Sequence, residues 1–217
     1  MKSDSQIRRD VEAELQWSPD VDETDIAITV HNGVVAMSGY VKSYFEKYRA
    51  EDAVKRVSGV AGVANDIVVH PKHGAGLEDP EIARAAVASV RGELGAAADE
   101  VKVLVHQSHV TLEGSVEWNY QRERIEDAVA RLPGVTAVSN LISIRPRVAP
   151  ADVKRLIEQA FTRSAEVDAK GITITADGGV VTLRGRVRTW TERNQAQQTA
   201  WSAPGVTQVK NELSVAA

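Results

Sequence analysis

"GGVVTLRG", residues 178–185, has two echoes earlier in the same chain, "NGVVAMSG" at residues 32–39 and "SHVTLEG" at 108–114. Twenty residues after the last glycine of each comes a Gly-Val pair: Gly59-Val60, Gly134-Val135 and Gly205-Val206. Superposed on Gly39, Gly114 and Gly185, three copies of a 63-residue unit align without a gap, as residues 7–69, 82–144 and 153–215. The connecting segments, "HPKHGAGLEDPE" and "RPRVAPAD", carry the proline, glycine and charge of linkers. Unit one is therefore read as residues 1–70, unit two as 79–145 and unit three as 150–217. Units this short bury only about 60% of the surface of the unfolded chain, so neighbouring units are expected to touch.

The period of the apolar positions changes along each unit and gives the order helix, strand, strand, helix, strand. Ile7, Val11 and Leu15, then Ile82, Ala86 and Val90, then Val153, Ile157 and Phe161 recur at i, i+4, i+8, one face of a helix. Asp79 and Asp152 suit the positive end of that helix. A strand follows, alternating at Ile26, Ile28 and Val30, at Val101, Val103 and Val105, and at Ile172, Ile174 and Ala176. Asn32-Gly33 and Gly178-Gly179 supply the positive φ of a two-residue hairpin turn. The quoted stretch is then a central strand. Its glycine falls on the inward parity, where the missing side chain is expected to admit a helix backbone. No glycine-rich turn leads from it into a helix with Lys or Ser/Thr, so it is not a phosphate loop. The second helix is read with Ala50, Ala53 and Val57, Ile125, Ala128 and Leu132, and Ala196, Thr199 and Ala203 inward, closing at Gly59, Gly134 and Gly205. The fold class is α+β: three tandem α-β-β-α-β units, each a three-stranded mixed sheet with two helices on one face. Asn65, Asn140 and Asn211 share one register of the last strand, where side-chain hydrogen bonds to the main chain account for them more simply than ligand binding.

This pattern resembles the BON domain, the bacterial OsmY and nodulation family. The resemblance rests on "VVAMSGYV", "VTLEGSV" and "VVTLRGRV" with "GVAGVANDIVV", "GVTAVSNLISI" and "GVTQVKNELSV". It implies binding rather than catalysis, with contact to phospholipid membranes and a role in osmotic or envelope stress. The shared residues are glycine, core aliphatics and one asparagine, which bring no catalytic set.

Composition is that of a soluble globular protein, neither disordered nor collagenous. Of 217 residues 43% are hydrophobic and 26% charged, and the absence of cysteine excludes disulfides, a thiolate nucleophile and a Cys-ligated zinc. The opening "MKSDSQIRRDVEAEL" does not read as a secretory signal, which places the chain in the cytoplasm, peripheral to the inner membrane, or in the periplasm where a leader has been removed. No apolar run is long enough to cross a bilayer. Nucleic acid is disfavoured because the net charge is −4. No cofactor is called for, and neither the five histidines nor the run Asp20, Asp22, Glu23, Asp25 has the spacing of a metal site.

What varies among the units is their surface. Net charges by segment are −3 for residues 1–72, −4 for 73–146 and +3 for 147–217. On the outward parity of the second strand stand Ser38, Tyr40 and Lys42, then Glu113, Ser115 and Glu117, then Arg184, Arg186 and Arg188. The three arginines together with Arg193 are the candidate contact for an anionic surface, with a merely solvated strand face as the alternative. Tyr44, Trp118 and Trp190, just after the second strands, suit either a membrane interface or the closing of a helix onto the core. Trp201 lies beside the expected buried face and is read as an exposed contact. The leading function is a non-enzymatic tandem binding protein for anionic phospholipid. The alternative is a protein-interaction scaffold or homo-oligomer that uses open sheet faces and edges without lipid.

Overall fold

The computed structural model describes residues 2–70, 77–146, 152–164 and 171–215. Unit one runs α1 (Asp4–Trp17), β1 (Ile26–His31), β2 (Val34–Val41), α2 (Tyr44–Arg56), β3 (Gly62–Val69). Unit two runs α3 (Asp79–Leu94), β4 (Val101–His106), β5 (His109–Val116), α4 (Asn119–Ala130), β6 (Ala137–Ile144). Unit three runs α5 (Val153–Arg163), β7 (Ile172–Asp177), β8 (Val180–Val187), α6 (Trp190–Trp201), β9 (Gln208–Val215). The sheets are ordered β1-β2-β3, β4-β5-β6 and β7-β8-β9, so the quoted stretch is the middle strand each time. β1 and β2 are antiparallel and β2 and β3 parallel, as are β7 with β8 and β8 with β9, which gives a mixed sheet with a helical crossover.

Sequence chemistry explains the turns. His31 pairs with Val34 across Asn32 (φ 49°) and Gly33 (φ 76°), the doubly left-handed turn that matches strand twist. Unit two makes the same turn with Gln107 and Ser108 at φ 51° and 61°. An aspartate one helix away supports it. Asp4 accepts the N–H groups of Asn32 and Gly33 at 2.8 and 2.9 Å, and Asp79 accepts those of Gln107 and Ser108 at the same two distances. Asp79 thus ties the helix start to the hairpin. Asp152 instead sits at φ 53° without a side-chain cap and pairs with Arg155 at 3.2 Å.

The first-helix face is buried in all three units at the nine positions read from the period. The second helix differs from expectation. Its inward residues are Ala50, Ala53 and Val54 in α2, Ile125, Val129 and Ala130 in α4, and Ala196, Ala200 and Trp201 in α6, whereas Val57, Ala128, Leu132 and Thr199 are only half-buried. The face is phased by a residue too polar to register in an apolar period. Glu46, one turn before Ala50, is buried; its carboxylate accepts the N–H of Asp22 at 2.8 Å and of Lys42 at 2.9 Å. Glu192 is its counterpart, accepting the Arg188 N–H at 2.8 Å. Ser43 and Thr189 cap the same helices by accepting from the Glu46 and Glu192 N–H groups.

Gly39, Gly114 and Gly185 also need correction. They fall on the parity of the buried Met37 and Val41, Leu112 and Val116, and Leu183 and Val187, with φ of 122°, 128° and 134°, but Gly114 and Gly185 are exposed and the atom that approaches each glycine is not in a helix. A Cβ on them would lie 1.9 to 2.0 Å from the carbonyl oxygens of Asp25, Glu100 and Gly171, where the chain enters the neighbouring strand.

Candidate functional site

The outward face of the third sheet is assembled by register. Arg184 lies between Thr173 of β7 and Glu212 of β9, Thr182 lies beside Lys210, and Arg186 lies beside Ser214. Arg184, Arg186, Arg188, Lys210 and Glu212 are all exposed. The Arg184 Nε donates to Glu212 at 2.7 Å, which raises the guanidinium above its ordinary pKa. Arg188 stands 3.7 Å from the buried Glu192. Two of the three arginines are therefore committed to acids, and Arg186 and Lys210 supply the excess positive charge. Sheet one is different. Its outward residues Val34, Tyr40 and Val68 are exposed, with the Tyr40 ring in a tilted contact with His70 at 4.6 Å between ring centres and 60° between planes.

Arg193 belongs to the scaffold side of α6. Its guanidinium donates to the carbonyls of Leu213 at 3.1 Å and Asn211 at 2.9 Å, lies 5.2 Å from the Trp190 ring centre, and is lowered in pKa by burial. Trp190 and Trp118 are half-buried. Trp201, read as an exposed contact, is buried at 8% exposure because the inward face of α6 runs through Ala200 and Trp201. The exposed tryptophan is one the sequence reading passed over: Trp17, 84% exposed at the end of α1. A helix turns about 100° per residue, so two steps beyond the buried Leu15 carry Trp17 to the opposite side.

Tyr44 packs against unit two. Its hydroxyl is hydrogen-bonded to the backbone of Val138, and burial, then the charges of Glu126 and Glu51, raise its pKa. Beside it the Arg131 guanidinium lies 3.9 Å from the ring centre of Phe45. Tyr48 is raised above the usual phenol range, first by burial and then by Asp52, Asp127, Glu126 and Glu123. The aromatic cluster at the start of α2 thus forms the seam between units one and two.

The recurrent asparagines form one repeated device. Asn65 donates to the Lys47 carbonyl at 3.4 Å and to Glu51 at 3.1 Å and accepts the Ile67 N–H at 3.3 Å. Asn140 does the same with Arg122, Glu126 and Ile142, and Asn211 with Arg193, Gln197 and Leu213. Each side chain ties the last strand to the second helix and has its hydrogen bonds filled from within the unit. Gly59, Gly134 and Gly205 take φ of 96°, 85° and 86° just past that helix. The acidic run is likewise engaged, with Asp20 on Arg49 and Asp22 on Lys42. Among the described residues no group of three His, Asp or Glu could hold a metal ion, and no helix is long and apolar enough to cross a membrane.

Comparison with known proteins follows this architecture. The BON domain model matches three times, at residues 3–71, 79–146 and 151–217. The chain is similar to the osmotically-inducible protein Y of Escherichia coli strain K12, 28% identical over 141 residues, covering 63% of this chain and 70% of that one. Among solved structures, CdsD, a structural protein of the type III secretion system of Chlamydia trachomatis, aligns at TM-score 0.27 and 14% identity over 97% of this chain and 92% of its own. The PrgH periplasmic domain aligns at TM-score 0.22 and 11% identity over 89% and 96%. Neither structural likeness carries weight at those scores. Three gapless copies, three matched segments and one repeated α-β-β-α-β topology establish that the chain belongs to the BON-domain family.

Proposed function

We propose that this protein acts by binding, without catalysis, in the response to osmotic stress, and that the outward face of its third sheet contacts an anionic phospholipid surface. The relative induced by osmotic conditions supports the setting. The observation that carries the surface is the alignment of exposed Arg184 and Arg186 with Lys210 on the outward parity of β8 and β9, with exposed Arg188 just past the end of β8, where units one and two present Ser38, Tyr40 and Lys42 or Glu113, Ser115 and Glu117. A basic side chain near an anionic bilayer contributes about 1 kcal/mol. With Glu212 and Glu192 offsetting two arginines, the excess is small and the contact is weak and salt-sensitive. Cosedimentation with vesicles of phosphatidylglycerol and phosphatidylcholine tests it. Pelleting falls with added salt and is lost in the Arg184→Glu, Arg186→Glu, Arg188→Glu variant; equal pelleting of the variant and the parent rejects the reading.

A further inference from the structure

Unit two carries a cleft at positions where its sister units have longer side chains. It has a volume of about 160 Å³ between α3 and β4, walled by Val87, Val90, Val101 and Val103, with the exposed Arg91 and Asp99 at its rim. The gapless repeat supplies an internal reference. Where unit two has Val90, units one and three have Leu15 and Phe161; where it has Val101 and Val103, they have Ile26 and Ile28 or Ile172 and Ile174. Three shorter side chains open the space. The rim changes as well, since Val87, 38% exposed, replaces Glu12 and Glu158, solvated acids paired with Arg8 and Lys154. Val103 is half-buried, whereas Ile28 and Ile174 are buried. Outside the cleft the same helix face continues as a shallow trough with Ala83, Ala88 and the exposed Arg84.

The neighbouring strand indicates what fits. β4 is an edge strand of its sheet, so one side of its main chain is unpaired within the sheet, and its Leu104 is 50% exposed. A helix flanking an edge strand, with a cleft between them that is valine-walled at depth and polar at its rim, is a geometry into which an extended peptide adds as a further strand, its main chain pairing with the edge and alternate side chains entering pockets. A cavity of about 150 Å³ accepts a benzene-sized group, so this one takes one aliphatic side chain. Although unit two as a whole is acidic, Arg84 and Arg91 on the helix wall outnumber the one carboxylate lining the cleft and trough, Asp99 on the strand side, so carboxylates are favoured on the flanking peptide residues nearest α3. We propose that α3 and β4 form a docking site for an extended acidic peptide segment that inserts one branched aliphatic side chain between Val87, Val90, Val101 and Val103. The site lies in unit two and does not depend on the arginines of the third sheet.

The experiment uses the full-length, nitrogen-15-labelled chain titrated with the acetylated peptide EEVLVEE and, separately, with KKVLVKK. Amide shifts are expected in α3 and β4, saturating below about 1 mM, with the lysine peptide about tenfold weaker. The Val101→Ile, Val103→Ile variant fills the cleft with residues the sister units already carry in this fold, and Val87→Glu restores their solvated rim; each weakens EEVLVEE by about tenfold. No shifts, shifts confined to other elements, or undiminished binding by both variants overturns the proposal. So does a concentration-dependent dimer, measured by light scattering, that the peptide does not dissociate, since a second copy would then be the occupant.

Discussion

Replacing Gly39 by alanine removes no contact, yet the geometry makes it costly. The new Cβ would sit 1.9 Å from the Asp25 carbonyl oxygen and 3.0 Å from its carbon, main-chain atoms that no rotamer change can move. The φ of 122° lies in a region that an L side chain rarely occupies, worth about 1–3 kcal/mol of strain. Relieving the contact means drawing β1 from β2 where Ile26 pairs with Gly39, which weakens a ladder hydrogen bond worth about 1 kcal/mol. Gly39→Ala should therefore destabilise unit one by roughly 2–4 kcal/mol. Gly92→Ala is the control: this glycine lies within α3 with nothing inside 4 Å of a built Cβ, so the change should stabilise by about 0.5–1 kcal/mol. Urea unfolding read from the amide signals of β1 and β2 follows Gly39→Ala in unit one, and the signals of β4 and β5 follow Gly92→Ala in unit two. A loss below about 1 kcal/mol in Gly39→Ala would refute the claim that the central-strand glycine is a backbone requirement.

Two further outcomes follow from side chains that serve the main chain. Glu46→Ala leaves the Asp22 and Lys42 N–H groups without their buried acceptor and should cost about 2–3 kcal/mol in the same assay, whereas Glu12→Ala, on the solvated face of α1, stays within about 0.5 kcal/mol. The N–H donors of Gly33 and then Asn32 hold the Asp4 carboxyl below the usual carboxylate range, so the folded pKa lies under the unfolded one. Its stabilisation is then present above the unfolded pKa and fades as pH falls through the folded value; urea midpoints taken from about pH 5 to pH 2 should drop less steeply in Asp4→Asn than in the parent.

The fold was legible where one physical cause sets one pattern. Ile7, Val11 and Leu15 face the core because a helix returns every 3.6 residues, and Asn32-Gly33 marks a hairpin because both residues accept positive φ readily, whereas the same turn at Gln107-Ser108 carried no such signal. The phase of the second helix was not legible, because buried Glu46 and Glu192 occupy inward positions for the sake of main-chain hydrogen bonds, which hydrophobicity does not record. The same error of phase put Trp201 outside. Gly39 advertised a missing side chain, but the sequence could not say which atoms come close. Of the candidate surface, parity placed Arg184 and Arg186 together, whereas the pairing of Arg184 with Glu212 and the tying of Arg193 to β9 depend on register between strands distant in sequence. The cleft of unit two was written in Val90, Val101 and Val103, but a valine in place of isoleucine means a cavity only once the walls around it are known.

The central idea is that residues common to the copies build the unit and residues that differ among them bind. The most direct test transplants the outward residues of unit one into unit three, as Arg184→Ser, Arg186→Tyr and Arg188→Lys, and measures unfolding and anionic-vesicle binding on the same sample. Unfolding within about 0.5 kcal/mol of the parent, together with loss of most vesicle binding, is the expected result. Vesicle binding equal to the parent in a variant of unchanged stability would contradict it.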